Sequence, residues 1–137
     1  MTSSPIEVDD WVRASLLHPQ MTATVGLPVP AALDLLADSL GAHGYKVKDA
    51  TPTGFRATWW DRTGWLGMLA ATDWDFKRTR LAVTASESGP GTELAIQVEK
   101  GAEHRAGRRQ GREALTAALQ DAQRRGVPVT TTPWVKP

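Results

Sequence analysis

Carboxylates and imidazoles are where chemistry would first be sought. Asp73 and Asp75, in the stretch DWDF, would share one strand face, and Asp61 lies nearby in sequence. Such a pair can hold a hard cation or divide acid and base roles. Here no third ligand stands at a defined spacing. His18, His43 and His104 are scattered, none in an HxxxH or HxH setting. The serines form no GxSxG elbow, and the glycines form neither GxGxxG nor a phosphate loop. Without cysteine, disulfide frameworks, thiolate nucleophiles and cysteine-based zinc sites are excluded. The reading is non-enzymatic, with no metal and no cofactor.

Aromatic residues carry the stronger signal. Four of the six tryptophans, Trp59, Trp60, Trp65 and Trp74, fall in WWDRTGWLGMLAATDW. Each indole offers a large apolar surface and one N–H that needs a partner when buried. Trp59 and Trp60 are adjacent, so in a strand they point to opposite faces, and only one can join a single core. Trp65, Leu66, Met68 and Leu69 follow among Gly64 and Gly67 without a clean period. The cluster either covers the end of a sheet or forms a ligand wall or dimer contact. Pockets and interface cores are enriched in aromatics and Met. Trp60, Trp65, Met68 and Trp74 are therefore the candidate ligand or partner surface.

A second candidate is cationic. Arg105, Arg108, Arg109 and Arg112 occupy an arc of about 100° on a helical wheel. Positive charge in the first turns of a helix opposes the macrodipole, which hints at an anionic partner such as nucleic acid or acidic lipid. A solvated face, or pairing with a sheet carboxylate such as Glu99, is the structural alternative; Lys77, Arg78 and Arg80 could extend the patch. Gly107 and Gly111, continued by Ala114 and Ala118, would let the same helix approach a neighbour closely.

These residues must be positioned by the elements around them. Thr22 to Leu27 alternates as a strand with one buried face. Pro30 suits the first turn of a helix. Leu33, Leu36, Ala37 and Leu40 then make one helical stripe, ended by Gly41 or Gly44. Residues 45–60 read as a hairpin turning at Thr51-Pro52-Thr53-Gly54, and residues 80–99 as a second hairpin turning at Ser88-Gly89-Pro90-Gly91. The longest helix is expected over roughly Glu103 to Arg125, with Leu115, Ala118, Leu119 and Ala122 buried and Gly126 as its stop.

The expected organisation is an arm over residues 1–20, one α+β domain over 21–126 and an extended tail over 127–137. The arm reads as loosely ordered, with a short amphipathic helix after Asp9 or Asp10. A single antiparallel sheet in β-α-β4-α order, with two helices on one face, buries these stripes most simply. That order resembles TATA-binding-protein-like domains. The stretch ATVGLPVPAALDLLADSL is similar in pattern to the first strand and helix of helix-grip folds, the alternative architecture, which needs more strands than the four clear ones here.

Net charge is +1, but it is unevenly distributed. Residues 1–50 hold six acidic and three basic side chains, and residues 101–137 hold three acidic and seven basic. That polarity is too modest to indicate nucleic acid. No basic-then-apolar leader and no run long enough to span a bilayer is present, so a cytoplasmic location is expected. The expected function is a binding or self-association domain for an apolar small ligand or a second copy. Anion binding through the arginine face is the alternative.

Overall fold

Alternation of apolar residues along five stretches of chain generates one sheet. In the computed structural model, residues 5–11, 18–60, 78–102 and 105–135 are described. The elements are β1 (Gln20–Val25), α1 (Val29–Ala42), β2 (Lys46–Thr51), β3 (Gly54–Trp60), β4 (Arg78–Ser88), β5 (Gly91–Lys100), α2 (Arg105–Arg124) and β6 (Val129–Thr131). The strands form a six-stranded sheet in the order β2-β3-β4-β5-β1-β6. Every neighbouring pair is antiparallel.

Register brings the alternating residues together in rows. Phe55 pairs with Val83, Val83 with Ile96, and Ile96 with Met21, so one apolar row crosses four strands. Ala57, Leu81 and Val98 form the next row. All of these are buried and share one core with Leu33, Leu36 and Leu40 of α1 and Leu115, Leu119 and Ala122 of α2. The two helices also touch directly, with Ser39 donating its hydroxyl proton to the Ala114 carbonyl at 2.6 Å. The helical stripes expected from sequence are thus the buried faces.

β6 departs from expectation. Within the C-terminal tail, Val129–Thr131 pairs with β1 and Val135 forms a further bridge to Gln20. A strand this short carries no readable alternation. Its pairing is created by the free edge of β1, where Gly26 N–H donates to the Pro128 carbonyl and Thr132 N–H to the Thr22 carbonyl, each at 2.9 Å.

The N-terminal segment is likewise tied down in its described part. Trp11 is 1% exposed and donates its indole N–H to the Ala102 carbonyl at 2.9 Å. Its ring meets that of Trp134 edge-on at 5.1 Å, and Trp134 donates to the Asp9 carbonyl. Along α2, Ile6 N–H donates to Gln123, Val8 N–H to Thr116, and Gln120 returns a bond to the Ile6 carbonyl. Residues 5–11 are therefore anchored, where a polar composition suggested a loose arm. The anchoring partners lie 91 to 125 residues away and leave no local trace. Most of the helix expected after Asp10 lies outside the described residues.

α2 can approach this closely because of its glycines. A Cβ at Gly107 would lie 2.7 Å from Thr79 Cβ, and one at Gly111 would lie 2.7 Å from Trp11 Cη2 and 2.9 Å from Tyr45 Oη. The obstructing atoms at Gly111 belong to rigid rings, so Gly111→Ala should destabilise the protein by about 1–3 kcal/mol through overpacking. The higher helix propensity of Ala offsets at most about 1 kcal/mol of this. Urea unfolding of the two proteins measures the difference.

Tyr45 is 3% exposed, and its hydroxyl donates to the Gly107 carbonyl at 2.7 Å. Desolvation raises its pKa well above the ordinary tyrosine range. A raised value favours the folded state while the unfolded phenol is still protonated. That contribution is present in full below about pH 10 and is lost as pH rises from there towards the folded value. Tyr45→Phe should cost about 1 kcal/mol at neutral pH. The gap between the two proteins should narrow above about pH 10 in pH-dependent denaturant titrations.

Candidate functional site

The β3–β4 pairing separates the adjacent tryptophans as their spacing demands. Trp59 lies on the core side, partly buried against the cluster, with its indole edge over Gly44 and Gly107. Trp60 points the other way and is half-buried, with Lys48 Nζ 5.6 Å from its ring centroid. Trp60 pairs with Arg78, so the segment 61–77 leaves and re-enters the sheet at directly opposed positions. Trp65, Met68 and Trp74 lie within that segment, outside the described residues. So do Asp61, Asp73, Asp75 and Lys77.

Around Trp60, the face of the sheet away from the core is charged. Arg56 pairs with Glu99 at 2.9 Å and with Asp49 at 3.8 Å. Arg80 reaches the same Glu99 oxygen at 3.7 Å. Glu99 therefore serves the sheet arginines and not those of α2. Sequence reasoning did not find this four-residue network, whose only signal is alternation on strands of unknown register.

The two halves of the expected cationic patch are not joined. Thr79 packs under Gly107 of α2, so its neighbour Arg80 in β4 points to the opposite side of the sheet. Within α2, Arg105, Arg109 and Arg112 are exposed. Arg108 is only 16% exposed and pairs with Asp10 at 2.9 Å. One of the four cations is thus committed to anchoring the N-terminal segment.

Two shallow grooves flank α2. One, of about 480 Å³, lies between the helices over Ala31, Leu35, Ala117 and Ala118, with Asp34, Asp38 and Asp121 on its rim. The other, of about 300 Å³, runs beside the N-terminal segment between Glu7, Arg112 and Gln120. Among the described residues no group of three or more His, Asp or Glu is placed to hold a metal ion. His18 lies 3.3 Å from the Val98 carbonyl and His43 2.9 Å from the Ser39 carbonyl, so each imidazole meets a backbone oxygen. Among the described residues no helix is long and apolar enough to cross a membrane.

No protein-family model matches the chain, and no curated protein matches it in sequence. The functional reading therefore rests on the residues themselves.

The Arg108–Asp10 pair predicts a local effect. Asp10→Asn should cost about 1 kcal/mol or less globally, as partly exposed pairs do. It should also speed hydrogen exchange at the Ile6 and Val8 amides, which bond to α2 beside it. Exchange followed by NMR reads both.

Proposed function

We propose that this chain is a non-enzymatic binding domain. Its partner surface lies at the β3–β4 end of the sheet, formed by Trp60 with Trp65, Met68 and Trp74. The occupant is an apolar small ligand or a second chain. The direct pairing of Trp60 with Arg78 carries this reading. Opposed strand ends can be joined by a two-residue turn, yet the chain spends residues 61–77 there. It fills them with Trp65, Leu66, Met68, Leu69, Trp74 and Phe76, the types enriched in pockets and interface cores. Trp59 already supplies the core at this end, which leaves Trp60 on the opposite face for contact.

The architecture supports the same choice. We read it as the TATA-binding-protein-like order with an added edge strand, because β6 follows the long helix. The core against the helices is filled by fully buried side chains such as Met21, Leu36, Ile96 and Leu119. A binding surface at the end of the sheet fits this packing better than a helix-grip cavity.

Replacing residues 61–77 with Asn-Gly tests the reading, since that turn suits strands paired as Trp60 and Arg78 are. Native mass spectrometry should find the full chain carrying a bound compound or forming a dimer. The shortened chain should lose the bound compound, or the dimer where the tryptophan segment holds it, with its melting temperature within a few degrees. Fluorescence of 1-anilinonaphthalene-8-sulfonate, an apolar probe, should fall with the deletion. A bare monomeric full chain with unchanged probe binding, or a shortened chain that no longer folds, would overturn the proposal.

A further inference from the structure

The helical layer carries two charged sets of opposite sign, and among the described residues neither is held in an ion pair. Asp34 and Asp38 stand one turn apart on the exposed face of α1, on the rim of the interhelical groove. Like charges at this spacing repel. Among the described residues neither forms an ion pair, whereas Asp121 across the groove is held by Arg124 and Arg125. Arg105, Arg109 and Arg112 follow one another at i, i+4 and i+7 in the first half of α2. Arg105, in the first turn, opposes the helix macrodipole, and all three are exposed without an ion pair among the described residues.

The two sets cannot meet in one molecule. α1 packs on α2 at Ala114 and Ala118, and Arg112 lies about 160° around the helix from Ala114. A second copy removes that obstacle. Asp34 and Asp38 stand about 6 Å apart along α1 and Arg109 and Arg112 about 4.5 Å apart along α2, a difference the long arginine side chains can span, so they can be matched pair by pair. Between the carboxylates, the groove floor is Ala31, Leu35, Ala117 and Ala118, small enough to admit an approaching helix.

We propose that the helical layer is a self-association surface. Arg109 and Arg112 of one copy pair with Asp34 and Asp38 of the other, and the twofold repeats the contact. Self-complementarity of this kind is what an isologous dimer requires. The surface is separate from the tryptophan segment and does not depend on its role.

Charge reversal with complementation tests it, read by sedimentation velocity on the full chain. The unaltered protein should dimerise at low salt and dissociate as salt rises. Asp34→Lys with Asp38→Lys, and separately Arg109→Glu with Arg112→Glu, should each weaken dimerisation roughly a hundredfold, because like charges then face one another. All four positions are exposed, so thermal melts should be unchanged. Mixing the two double variants should restore a dimer, since every contact then joins opposite charges. A full chain that is monomeric at every salt concentration, or a dimer indifferent to both reversals, would overturn the proposal. In the second case, loss of the dimer on replacing 61–77 would assign self-association to the tryptophan segment.

Discussion

Close approach of α2 to its neighbours is the constraint on which the rest of this structure depends. At Gly107 and Gly111 the helix has no side chain, and Thr79, Tyr45, Trp11 and Trp59 occupy the space a Cβ would take. Bringing the helix backbone this near lets the Tyr45 hydroxyl reach the Gly107 carbonyl. It also gives the Trp11 ring a pocket against Gly111. A helix with ordinary side chains there would stand farther off, and the aromatic residues beneath it would lose their partners.

The two ends of the chain close on that helix. Trp11 and Trp134 meet edge to face, and each spends its indole N–H on a backbone carbonyl from elsewhere in the chain. Large apolar rings with one polar atom suit this task, because burial is favourable only when the N–H is satisfied. The N-terminal segment then follows α2 through Thr116, Gln120 and Gln123, and the C-terminal segment adds β6 to the edge of β1. Residues peripheral in sequence thereby seal both the open end of the core and one edge of the sheet.

Charge follows the same division of surfaces. On the sheet side, Glu99 gathers Arg56 and Arg80. On the helical side, Arg108 is drawn to Asp10, while its neighbours Arg105, Arg109 and Arg112 remain exposed. An arginine cluster that looks uniform on a helical wheel is split by what packs beside it.

Both hairpins, both helices and their buried stripes were legible in the sequence, because each rests on a local period: two for Phe55, Ala57, Leu81 and Val83, about 3.6 for Leu33, Leu36 and Leu40. Opposite facing of Trp59 and Trp60 followed from the same geometry. Strand order, the pairing of Val129–Thr131 with β1, the seat of Trp11 against Trp134 and the choice of Glu99 by Arg56 were decided only in three dimensions. Each joins residues far apart in the chain, so no local pattern encodes it. Within the candidate site, sequence alone identified Trp60, Trp65, Met68 and Trp74 by type. The tertiary structure placed Trp60 outside the core and opposite Arg78, because strand register, which no single strand contains, sets what faces what.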